Sequence, residues 1–180
     1  WRRVYSPLIH LLGVVMAWVA VLMGSESDWG VMKTCTETLA ALGVDFEVRV
    51  SSAHRTPAAT QEYIMDAEKR GCRIFICAAG MAAHLAGATA AHTQRPVIGV
   101  PIDSGPLQGM DALLSTVQMP GGVPVATVAV GKAGAKNAGY LAAQMLAIAD
   151  ADLHQTVVAD RQANAEKVAA QNASVQASLT

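Results

Sequence analysis

Short apolar runs alternate with stretches of helical spacing along most of the chain. Val19, Ala20, Val21, Leu22 and Met23 form a β-type run that stops at Gly24. Val31, Cys35, Leu39 and Leu42 then recur every three or four positions. That spacing predicts a helix over residues 31–42, closed by Gly43. Residues 46–50 read as a second strand. Thr56 and Pro57 open a helix, threonine as N-cap and proline at the first helical position. It carries Tyr63, Ile64 and Ala67 and ends near Gly71. Residues 73–79 predict a third strand, and residues 82–92 a short helix of small residues. Residues 96–101 hold Val97, Ile98, Gly99 and Val100, a fourth strand. A helix over residues 110–117 and a fifth strand over residues 125–130 follow. An Ala/Leu helix over residues 135–149 and a polar amphipathic helix from Asp152 to about Asn172 complete the pattern.

Strands alternating with helices imply βαβ units and a parallel sheet covered on both faces. Right-handed crossovers make this a three-layer αβα sandwich, doubly wound and flavodoxin-like. The 180 residues suit one such domain. No repeat or low-complexity linker divides them. The expected organisation is an extension over residues 1–15, a domain over 16–165 and a polar tail over 166–180 that frays or packs on a neighbouring subunit. Arg2, Arg3 and the apolar stretch after Leu8 resemble a signal peptide. The stretch is short for a membrane span and runs into Gly24-Ser25-Glu26 without a small-residue cleavage site. Its end is better used as the first buried strand, and Met16 is a natural start.

Composition adds three constraints. Only 15% of residues are charged and 52% are hydrophobic, which points to surface hidden against further copies of the chain. A net charge of −1 with no basic stripe excludes the electrostatic footprint of a nucleic-acid binder. Cys35, Cys72 and Cys77 are odd in number and form no CxxC pair. They read as core thiols in a reducing, cytoplasmic setting.

In an open parallel sheet, ligands bind beyond the C-terminal ends of the strands. The first exit, Gly24-Ser25-Glu26-Ser27-Asp28, offers a tight turn, hydroxyls and helix amides suited to phosphate. Asp28 fits a helix cap and a ribose contact equally well. The second exit, Ser51-Ser52-Ala53-His54-Arg55-Thr56-Pro57, places an arginine fork suited to phosphate beside a histidine. The third, Gly80-Met81-Ala82-Ala83-His84-Leu85, leaves backbone open to a planar ligand, with His84 as a second polar contact or a buried histidine. Residues 131–137 read as turn plus helix start with possible subunit contacts, since they lack Walker spacing. No GxGxxG, HExxH or GxSxG pattern occurs.

Six segments in order carry a resemblance: MGSESDW at 23–29, SAHRTP at 52–57, AAHL at 82–85, GVP at 99–101, VQMPGGVPVAT at 117–127 and GKAGAKNA at 131–138. Together they resemble the class I N5-carboxyaminoimidazole ribonucleotide mutases, over about residues 19–162. The resemblance implies a homo-octamer of flavodoxin-like subunits with sites at subunit junctions. It implies a ribonucleotide substrate, no metal or cofactor, and a functional link to an ATP-dependent synthetase that supplies that substrate. It assigns Ser25, Asp28, Ser52 and Arg55 to the ribose 5-phosphate, and His54 to proton transfer. His84 would lie near the carboxylate. Gly24, Ala53, Gly80, Ala82, Ala83 and Leu85 would supply backbone and shape around the base.

One loop departs from the commonest family pattern. Met81 takes the place of a glycine and Ala86 that of a proline. Met81 is a problem if its position requires positive φ. The nearest alternative is the class II relative, which carboxylates aminoimidazole ribonucleotide directly with carbon dioxide; SAHRTP and AAHL favour class I. A non-catalytic nucleotide-binding subunit of the same fold is the alternative from another class.

Overall fold

A computed structural model describes residues 17–179. The expected extension over residues 1–15, and Met16, lie outside the described residues. Five parallel strands form one sheet: β1 (Trp18–Met23), β2 (Phe46–Val50), β3 (Cys72–Gly80), β4 (Val97–Ile102) and β5 (Ala126–Thr127). Their order is β2-β1-β3-β4-β5. This is the flavodoxin-like order, and its direction reverses between β1 and β3. A short 3-10 turn, Glu26–Asp28, leads into α1 (Trp29–Ala41). The remaining helices are α2 (Pro57–Lys69), α3 (Leu85–Ala90), α4 (Met110–Val117), α5 (Gly131–Ala147) and α6 (Ala151–Ala177).

Strand alternation divides the core into two layers. Val19, Val21, Ile74, Ile76, Ile98 and Val100 face α1 and α5, where Met32, Leu39, Ala138 and Ala142 meet them. Ala20, Leu22, Phe75 and Cys77 face the other way, against Tyr63 and Ile64 of α2 and Leu85 of α3. All six residues of β1 and of β4 are buried, as expected of central strands covered on both sides. The opposite end of the sheet from the strand exits is tied by Arg70. Its guanidinium meets Glu47 of β2 at 2.5 and 3.0 Å and Asp66 of α2 at 2.6 Å. Edge strand β2 is thereby held to the helix that follows it.

Three elements differ from the pattern read above. β5 keeps two residues instead of six. It is an edge strand paired with β4 alone, and the chain beyond Thr127 turns to feed α5. α3 starts at Leu85, not Ala82, because residues 81–84 close local turns: Ala83 N–H donates to Met81 O and His84 N–H to Ala82 O, both at 2.9 Å. α6 runs through the expected boundary at Glu166 as far as Ala177, and none of its residues is buried. Its inward contacts, Leu153 and Val157, come from its first turns. The expectation of an amphipathic helix is corrected to that extent. Gly43 and Gly71 take positive φ after α1 and α2. Thr56 stands at the N-cap of α2 but makes no side-chain cap bond; its hydroxyl turns to Ser52 instead. The three cysteines are buried and free, and burial pushes each thiol up to about 12.

Candidate active site

The β1 exit is built as a reciprocal cap. Ser25 Oγ accepts from Ser27 N–H at 3.3 Å, and Asp28 Oδ2 accepts from Ser25 N–H at 3.1 Å. This capping box closes the 3-10 turn and spends Asp28 on the turn rather than on α1. Asp28 is only 6% exposed. Burial holds its carboxyl above the ordinary value, opposed by hydrogen bonds from the Ser25 amide, the Ser27 side chain and the Gly24 backbone. Gly24 has ordinary φ, and a Cβ there would find no atom closer than 3.7 Å. The strand exit therefore does not demand glycine.

The β2 exit reaches across to β1. Ser51 is anchored beneath it, its hydroxyl 2.7 Å from Thr60 Oγ1. Arg55 Nη2 donates to Gly24 O at 3.0 Å, and its Nε donates to Ser52 Oγ at 3.2 Å. Ser52 Oγ also accepts the Arg55 amide at 3.2 Å. The guanidinium is thus oriented over the β1 turn while remaining exposed. Ala53 packs inward against the α2–α3 core.

The β3 exit completes the crevice. His54 Nε2 lies 2.8 Å from His84 Nδ1, with the ring centroids 4.9 Å apart and edge to face. One nitrogen must donate and the other accept, so the contact requires at least one neutral ring. Gly80 ends β3, and a Cβ there would overlap Ser104 Oγ of the β4 exit. Ala82 is exposed, whereas Ala83 and Leu85 are each 2% exposed and shape the site from beneath. Met81 adopts φ of +54°, the conformation that its replacement of glycine makes costly.

Arg55 thus joins the β2 exit to the β1 exit, and the His54–His84 contact joins it to the β3 exit, while Ala53 and Leu85 pack into the core. Two contributors lie outside the first three strand exits. Residues 103–109 press on the β3 exit through Ser104 and Gly105, and α4 reaches it through Ser115 and Thr116. Lys132 and Lys136 belong to α5 itself, which starts one turn earlier than the pattern suggests. Among the described residues, no group of three or more His, Cys, Asp or Glu could hold a metal ion, and no helix is long and apolar enough to cross a membrane.

An αβα sandwich of this strand order is the architecture that places small-molecule sites beyond the ends of its strands, where the histidine pair, the arginine fork and the buried carboxylate lie. Residues 18–167 match the AIR carboxylase family, and the chain belongs to that family. It is 58% identical over 135 residues to the N5-carboxyaminoimidazole ribonucleotide mutase of Bacillus subtilis, covering 75% of this chain and 83% of the relative. It is 52% identical over 158 residues to the mutase of the same name from Mycobacterium tuberculosis, covering 88% and 90%. The crystal structure of Treponema denticola PurE superposes with a TM-score of 0.79 at 28% identity, over 87% of this chain and 97% of that one.

Proposed function

We propose that the protein isomerises N5-carboxyaminoimidazole ribonucleotide to 4-carboxy-5-aminoimidazole ribonucleotide in purine biosynthesis. The observation that carries this reading is the junction of three loops. Adjacent residues send an imidazole to the β3 exit and a guanidinium to the β1 exit. Arg55, Ser25 and Ser52 hold the 5-phosphate. Asp28 reads the ribose hydroxyls.

The chemistry balances on one proton. The carbamate N–C bond breaks, carbon dioxide departs, and the nitrogen takes a proton from His54. Ring carbon C4 then attacks the trapped carbon dioxide and forms the new C–C bond. His54, now neutral, removes the C4 proton and restores the aromatic ring. A histidine suits this shuttle because its free pKa lies near neutrality. His84 holds the ring at 2.8 Å and faces the carboxylate. The small residues Gly80, Ala82 and Ala83 keep the pocket tight, so that carbon dioxide is recaptured before water or diffusion removes it.

Further parts of the reading concern assembly and place. The chain assembles as a homo-octamer with its sites at subunit junctions. It works in the cytoplasm beside an ATP-dependent synthetase, and its buried free thiols suit that reducing compartment. The test is direct. Purified protein with chelator should convert N5-carboxyaminoimidazole ribonucleotide without added bicarbonate. Turnover only of aminoimidazole ribonucleotide with bicarbonate would assign the direct carboxylation instead. Tight binding without any turnover would make the chain a binding subunit.

A further inference from the structure

The turn that carries His84 is strained, and a neighbouring helix holds it. Met81 and Gln108 are the two non-glycine residues with positive φ among the described residues, and both lie in the facing loops at the β3 and β4 exits. A left-handed conformation costs a residue with a side chain on the order of 1 kcal/mol. It persists only where the surroundings over-determine it. The Met81 side chain supplies little of that hold, since the residue is 55% exposed.

The hold comes from α4. Ser115 Oγ accepts the Ala83 N–H at 3.0 Å and lies 2.8 Å from Asp111 O, 3.2 Å from Ala112 O and 3.4 Å from Met81 O. A hydroxyl has one proton and two lone pairs. The shortest contact takes the proton to Asp111 O, leaving a lone pair for the Ala83 amide. The next residue, Thr116, is buried, and its hydroxyl proton goes to Ala112 O at 2.7 Å, with Ala83 O farther off at 3.4 Å. The hold on Ala83 is therefore the Ser115 bond to its amide. A serine bonded to the carbonyl four residues back is ordinary in a helix and needs no other partner. Ser115 has one, an amide 32 residues earlier and one residue before His84.

We propose that Ser115 is a positioning residue: by holding the Ala83 amide it fixes the 81–84 turn and so the His84 ring that meets His54. The proposal deepens the mutase reading and rests on it for its kinetic readout. The test uses the full chain with Ser115→Ala and Ser115→Thr, the latter keeping the hydroxyl. Ser115→Ala should leave KM within about threefold, because the phosphate-holding loops belong to β1 and β2, while kcat falls about tenfold or more. Ser115→Thr should recover most of kcat. Imidazole 15N NMR of His54 and His84 should shift in the alanine variant and return in the threonine variant. That readout needs no turnover, so it decides the role of Ser115 even if the parent fails to isomerise the substrate. Parent-like kcat and parent-like imidazole signals in Ser115→Ala would overturn the proposal. So would a loss of kcat that only follows the loss of folded protein, or a threonine variant as impaired as the alanine one.

Discussion

Asp28 keeps a carboxylate nearly out of water at the mouth of the site, and burial raises its pKa above the ordinary 3.8. A raised folded pKa favours the protonated form in the native state. The stability this confers is complete below 3.8 and is lost as pH climbs through the raised value, so at neutral pH the ionised group is a cost. Asp28→Asn keeps an acceptor for the Ser25 amide and removes that cost. Urea unfolding should find the variant at least as stable as the parent at pH 7, with the difference shrinking on acidification, while substrate affinity falls. A variant less stable by more than about 1 kcal/mol at pH 7 would mean that the charged turn stabilises the fold. Met81 poses the opposite question. Met81→Gly releases left-handed strain of about 1 kcal/mol and gives back a similar amount in unfolded-chain entropy. It should leave stability unchanged within about 1 kcal/mol, in contrast to the roughly 2 kcal/mol or more lost when a buried methionine is truncated. A loss of that size would show that the thioether over Gly105 holds the loop.

At the scale of elements, α5 shows how one atom fixes a helix. A Cβ on Gly134 would overlap the Ala129 carbonyl, which is backbone and cannot rotate away. Gly134→Ala should cost about 3 kcal/mol or yield no folded protein. Gly30 lies in the first turn of α1, and a Cβ there would meet nothing within 4 Å, so Gly30→Ala should be neutral or gain up to about 1 kcal/mol. Thermal melts of the two variants check the pair, and equal behaviour would contradict the packing account. The elements themselves were legible in proportion to burial. β1, β4 and β3 from Ile74 onward are apolar runs because both faces are covered, and α4 matches its expected bounds of 110–117. β5 and α6 were not, since an edge strand pairs on one side and α6 buries no residue that would mark its period or its end. The site followed the strand-exit rule for residues 24–28, 52–55 and 80–85. Ser115 escaped it because its partner is remote in sequence and no local spacing announces a bond to a backbone amide.

The whole molecule leaves apolar surface that a monomer rarely tolerates. Met110, Leu114 and Val117 recur along one side of α4, each about half exposed, with Leu107 and Met81 close by in sequence or in the neighbouring loop. Sedimentation should therefore find an oligomer, eight copies on the present reading, and a stable monomer at micromolar concentration would contradict it. The larger claim is that three strand exits make one catalytic crevice whose proton carrier is His54. Asparagine at that position keeps shape and hydrogen-bonding capacity but cannot shuttle a proton. The decisive measurement is the rate of N5-carboxyaminoimidazole ribonucleotide isomerisation by the parent and by His54→Asn, with substrate affinity measured on both. Affinity within a few-fold and a rate lower by about a thousandfold are expected; parent-like turnover in the variant would take His54 out of the chemistry.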